Sequence, residues 1–190
     1  MPSPAELEDY LANGEYSDLK IICNGATYMV HRLILCSQIR FFENACNISW
    51  KEGEEGVVDL SHDDPGAVKA MIHYAYTGNC AAFDNAEDSQ QAQHWIQVYA
   101  IGSKYDFLGL KTKAKVYVEP ILENNWDKDW FADMIRLVYG TTISDRGLRD
   151  IVVTIVLEHH STFAEQSGDA PMQKLLEEVG EFSRDCFNSL

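Results

Sequence analysis

Histidine and cysteine side chains are the groups on this chain best able to do covalent or metal chemistry, and their spacing assembles no reactive set. His31 stands alone between a strand-like segment and a helical one. A metal site needs several converging ligands, so a hydrogen-bonded structural role is expected for it. His159-His160 is the one adjacent histidine pair, and neighbouring residues on a helix diverge by about 100°. No metal is predicted. Cys36-Ser37 has no evident base or orienting group, no G-x-x-x-x-G-K-[ST] run is present, and the twelve glycines are scattered. The five cysteines are odd in number and include no CxxC pair, which fits reduced, buried thiols. The expectation is a chain that is not an enzyme and needs no cofactor.

Two constellations suit contact chemistry instead. Asp18 at a strand start and Arg32 at a helix start, each beside apolar residues, are placed to pair. Such a pair either serves specificity, because desolvation makes it weak evidence for stability, or is structural, with Asp18 bonding to another charge or to nearby main-chain N–H groups. On either reading Arg32→Ala destabilises. Trp50-Lys51-Glu52 sets a tryptophan among charges, which suits an interface anchor, since aromatics dominate binding hot spots. The alternative is a ring packed on its own helix beside an acid in a solvated loop.

The composition narrows the partners. Thirty acidic against fifteen basic residues give a net charge of −15 over 190 residues, a field that repels nucleic-acid backbones and anionic lipid surfaces. Hydrophobic content of 46% with 24% charge is that of a folded chain. The apolar runs are too short to span a bilayer, and the N-terminus lacks a basic start and an apolar signal core. No membrane or nucleic-acid partner is expected, and the location is read as intracellular, cytoplasmic or nuclear.

The elements that position these residues can be read in order. Leu7 and Leu11 form an apolar stripe on a short helix that Gly14 ends. Leu19, Ile21 and Cys23 alternate along a strand, and Asn24-Gly25 signals a type I′ hairpin to a second strand with Tyr28 and Val30 on one face. A helix from His31 to Ser37 follows, with Ser37 capping another that carries Phe41 and Phe42. Val57-Val58-Asp59-Leu60 reads as a third strand. Asp64 caps a helix with Pro65 at its first position, where the missing N–H costs nothing. Residues 79 to 90 read as a polar loop, and Ile96, Tyr99, Ala100 and Ser103 line one helix face. Pro120 marks a boundary, because proline disfavours the helical conformation before it. Beyond it come helices with Trp130, Met134, Leu137 and Val138, then Leu148, Ile151, Val152 and Ile155, and one from Asp169 through Pro171, Met172, Leu175, Leu176 and Val179 to Phe182.

The run of Ser17-Asp18-Leu19, Asn24-Gly25, Val30-His31-Arg32, Phe41-Phe42 and Tyr76-Thr77-Gly78, closed by Tyr105-Asp106-Phe107-Leu108-Gly109-Leu110-Lys111, resembles a BTB/POZ domain of fungal type over about residues 5 to 118. Ile39-Arg40 stands where the family usually has Ser-Pro. The resemblance implies an α/β, mostly α, BTB/POZ fold: a small three-stranded sheet capped by a cluster of helices, followed by extra helices. Residues 1–118 would form the domain, and 119–190 a helical extension like a BACK or three-box segment. It also implies a protein-binding role. Leu7, Leu11, Asp18 and Arg32 would serve a homodimer, the alternative being that the leucines cover their own domain. Trp50 and Glu52, with the helices around Tyr99 and Tyr105, would dock on a cullin scaffold of a ubiquitin ligase. The alternative is an oligomerisation scaffold of a regulatory or transcriptional complex with no ubiquitin link.

Overall fold

Alternating burial along one short strand organises the first half of the molecule. In a computed structural model, which describes residues 3–47, 54–80, 83, 86–143, 145–165 and 170–189, β1 (Leu19–Cys23) buries Leu19, Ile21 and Cys23 and turns Lys20 and Ile22 the other way. Before it lies α1 (Pro4–Asn13) and after it β2 (Ala26–Val30). There follow α2 (Arg32–Cys36), α3 (Arg40–Ala45), β3 (Val57–Asp59) and α4 (Pro65–Thr77). The remaining helices are α5 (Asp88–Lys104), α6 (Leu108–Asn124), α7 (Phe131–Thr141), α8 (Gly147–Glu158), α9 (His160–Ala164), α10 (Pro171–Glu178) and α11 (Gly180–Asn188). Two compact units result, one of residues 1–83 and 97–113, the other of 84–96 and 114–190, so α5 and α6 each contribute to both.

In the first unit the sheet order is β2-β1-β3, with β2 antiparallel and β3 parallel to β1. The hairpin closes through Asn24 and Gly25 at φ 45° and 84°, the positive angles a type I′ turn demands. Helix α1 opens on a reciprocal capping box: Ser3 Oγ accepts from the Glu6 N–H, and a Glu6 carboxylate oxygen accepts from the Ser3 N–H at 2.7 Å. It closes on Gly14 at φ 67°. The Asp64 carboxylate caps α4 through the Ala67 N–H at 2.8 Å, with Pro65 behind it. Val68, Met71, Ile72 and Ala75 of α4 are buried, and α1 and α2 both pack against this helix.

In the second unit α8 packs against both α7 and α11. Arg149 lies 7% exposed, its guanidinium 4.4 Å from the Tyr139 ring and 2.8 Å from Glu181. It also donates to the Tyr139 carbonyl at 3.2 Å. The Trp126 ring stacks on His159 at 3.8 Å, with Phe163 edge-on to it. Among the described residues no helix is long and apolar enough to cross a membrane.

Several local expectations need correction. Ser37 is not the cap of α3: its hydroxyl donates back to the Ile34 carbonyl, and Ile39 occupies the cap position with no side-chain bond. Pro120 does not end a helix, because α6 runs through it to Asn124. An interior proline costs about 3 kcal/mol, and the buried stripe Ala114, Val118 and Leu122, all at 0% exposure, outweighs it. The helix expected from 171 to 182 is two helices, broken at Val179 (φ −106°, ψ 78°) before Gly180, a weak helix former. Asp169 lies outside the described residues, and Ala170 precedes the first of these helices as its cap. Helix α5 begins at Asp88, inside the stretch expected as loop. All five cysteines are free, but only Cys23 and Cys186 are buried.

Candidate protein-interaction surface

The described surface residues most suited to contact lie around one histidine. The His31 Nε2 is 2.8 Å from the Glu15 carbonyl, which only accepts, so Nε2 carries the hydrogen and Nδ1 is left as acceptor. The Tyr76 hydroxyl fits this tautomer: it donates to Nδ1 at 2.7 Å and accepts the His31 main-chain N–H at 2.8 Å. Burial pushes the Tyr76 phenol up to about 12, although the His31 N–H bond acts in the opposite direction. His31 is thus the structural histidine its isolation suggested, tying the 14–16 turn to α4. Tyr16 in that turn is held at φ 62°, an unusual angle for a residue other than glycine.

This arrangement leaves a groove of about 340 Å³ whose walls include Leu7, Tyr10, Tyr16, Asp18, Leu33 and Ile34. Leu33 is 82% and Tyr16 76% exposed, an unusual placement for large apolar groups that lie together. Neither stood out in the sequence, because exposure of a leucine inside a helix depends on tertiary packing. Leu7 and Leu11 are half-buried on α1. That helix covers its own α4, where the Glu8 carboxylate lies 3.3 Å from His73 Nε2.

Asp18 and Arg32 are brought together in the manner of a cap. The Asp18 carboxylate accepts the Arg32 main-chain N–H at 2.7 Å, at the open start of α2, and the Arg32 Nε donates to the Asp18 carbonyl at 3.1 Å. A Cβ on Gly56, itself at φ 65°, would stand 3.3 Å from the Arg32 guanidinium. The helix start and the strand start are therefore fastened at one point, with Gly56 at the entry to β3 close beside it.

Trp50 and Glu52 lie outside the described residues. Tyr99 and Tyr105, expected near a docking face, are instead core residues at 2% and 5% exposure. The Tyr105 hydroxyl donates to Asp63 at 2.5 Å while its ring lies 4.5 Å from Phe41. Burial, and then the Asp63 carboxylate, hold this phenol protonated well above the usual tyrosine range. The Tyr99 ring has Lys111 Nζ 5.2 Å from its centre. Both rings support the helices and, in this conformation, offer a partner no surface. Among the described residues no group of three or more His, Cys, Asp or Glu is placed to hold a metal ion.

Comparison with known proteins accords with this geometry. Residues 7–122 match the family model of the BTB/POZ domain, a module that mediates protein–protein interactions and is generally non-enzymatic. Human Kelch repeat and BTB domain-containing protein 3 is 31% identical over 93 residues, 48% of this chain and 15% of that protein. The Kelch repeat protein M-T8 of Myxoma virus (strain Lausanne) is 29% identical over 97 residues, 50% of this chain and 19% of its own length. The chain thus matches under a fifth of the length of these relatives. With the family model matched over more than half of the chain, and the three-stranded sheet and surrounding helices in place, the chain belongs to the BTB/POZ domain family.

Proposed function

We propose that this chain is a non-catalytic adaptor acting inside the cell, which self-associates through the face built by α1 and the Asp18/Arg32 region and recruits a cullin-based ubiquitin ligase through Trp50 and Glu52. The observation that carries self-association is the pairing of Leu33 and Tyr16, both more than three-quarters exposed, on the rim of an apolar groove beside α1. Apolar groups of this size gain about 25 cal/mol for each Å² removed from water. The cullin contact is supported by the Trp50-Lys51-Glu52 triplet, an aromatic and an acid two residues apart. Residues 119–190 are proposed to serve as the helical extension of the adaptor, in the manner of a BACK or three-box segment.

Sedimentation or light scattering of the intact chain tests the self-association. Because Leu33 is exposed, Leu33→Asp leaves the core untouched and is expected to convert a dimer to a monomer. A strict monomer in the unsubstituted chain at micromolar concentration would overturn this half of the reading. An unchanged dimer in Leu33→Asp would place its interface elsewhere.

A further inference from the structure

Helix α8 packs against α7 and α11 and buries Leu148, Val152 and Ile155, yet a second face of it is left open. On that face Asp150, Val153, Thr154, Leu157 and Glu158 recur at i, i+3, i+4, i+7 and i+8. With Ser189, just past α11, they line an open groove of about 480 Å³. Val153, 3% exposed, and the half-buried Leu157 form an apolar floor one turn apart, while Asp150, Thr154 and Glu158 are exposed.

The charges around this groove do not balance. Arg146 is shared by two carboxylates, Asp150 at 2.7 Å and Asp185 at 3.0 Å, so that group keeps one negative charge. Arg149, the one base on α8, is taken by Glu181. Glu158 has no ion pair or hydrogen bond among the described residues, and no lysine or arginine is among the groove walls. The surrounding sequence does not compensate, since residues 114–190 carry fourteen acidic against seven basic residues.

We propose that this groove docks a basic amphipathic helix of a partner protein, the class of client that the adaptor carries; the inference rests on the adaptor reading for that use. A helix laid along α8 sets apolar side chains on Val153 and Leu157. Its lysines or arginines reach Asp150 and Glu158, which stand about two turns, or 12 Å, apart. The field of a chain at −15 draws a cationic partner and repels an acidic one. A second copy of this chain fits badly, because it would set the same carboxylates against one another.

The probe is a synthetic helix of about fourteen residues with leucine on one face and lysine on the other, and its twin carries glutamate in place of lysine. Each is titrated into the intact chain and followed by fluorescence anisotropy. Saturable binding of the lysine helix alone is expected. Glu158→Lys should weaken it about fivefold, since an ion pair is lost and a like charge takes its place, and Thr154→Arg, which fills the groove at an exposed position, should abolish it. The control is Glu123→Lys, the same charge change at an exposed position of α6 outside the groove walls, and it should leave the affinity within about twofold. No binding of the lysine helix, equal binding of its twin, or equal weakening by the control overturns the proposal. A fall in the mass of the intact chain on Glu158→Lys also overturns it, by assigning the groove to a second copy. Cullin binding, measured separately, is expected to be unchanged in Glu158→Lys, so a failure here and a failure of the adaptor reading are told apart.

Discussion

Tyr76→Phe removes one oxygen from the buried face of α4 and tests how the groove is held. That hydroxyl accepts the His31 main-chain N–H at 2.8 Å and donates to the His31 ring at 2.7 Å. Each ordinary hydrogen bond contributes about 1 kcal/mol net, and a stranded part-buried N–H adds about 1 kcal/mol more. The phenyl ring keeps the packing, so the total is about 2 to 3 kcal/mol, from the polar contacts alone. For a protein of this size that corresponds to a fall of about 4 to 12 °C in Tm. Scanning calorimetry and urea unfolding measure it. The His31–Glu15 bond should loosen as well, so amide exchange of residues 14–17 should accelerate in the variant. A Tm within about 1 °C of the unsubstituted chain would refute the reasoning. It would mean that water replaces the hydroxyl and that the histidine does not depend on it.

Other expectations concern separate parts of the molecule. In Gly102→Ala the new Cβ would meet the Lys111 main-chain nitrogen at 2.9 Å. Overpacking of about 1 to 3 kcal/mol should exceed the gain in helix propensity; a higher Tm would contradict this. Arg149→Ala removes a buried guanidinium from the Tyr139 ring and carbonyl, while its partner Glu181 stays solvated at 59% exposure. A loss of about 2 kcal/mol is expected in urea unfolding, and Arg149→Met, which keeps the bulk, should lose less; equal losses would assign the effect to the lost charge and hydrogen bonds alone. Finally, Tyr76, Tyr105 and Tyr139 all have phenols raised by burial, Tyr76 to about 12. A folded pKa above the unfolded value of about 10 gives stability that is complete below pH 10 and is lost as pH rises towards 12. The urea midpoint should therefore drop between about pH 10 and pH 12; an unchanged midpoint would show that these phenols ionise freely while the chain stays folded.

Features set by local chemistry are legible in the sequence. The Asn24-Gly25 turn, the Asp64-Pro65 helix start and the alternation of Leu19, Ile21 and Cys23 depend on residues close together in sequence, and each occurs as expected. Expectations failed where distant packing overrules a local preference. Pro120 disfavours helix, yet Val118 and Leu122 are buried on either side of it and carry α6 through. The resemblance put Tyr99 and Tyr105 near a docking face, but both rings are buried, and Asp63, about forty residues away in sequence, satisfies the Tyr105 hydroxyl inside. The groove was invisible because Leu7, Tyr16 and Leu33 come from three separate segments. Asp18 and Arg32 were recognised as neighbours, while the form of their contact, a carboxylate on a main-chain N–H, was one of several readings that only geometry separates.

Binding of the intact chain to a purified cullin N-terminal domain, with and without Trp50→Ala combined with Glu52→Ala, tests the adaptor reading most directly. Saturable binding is expected, weakened at least tenfold by the double substitution, since a hot-spot pair contributes about 2 kcal/mol or more. No binding by the unsubstituted chain, or equal affinity in the double variant, would contradict the proposed contact.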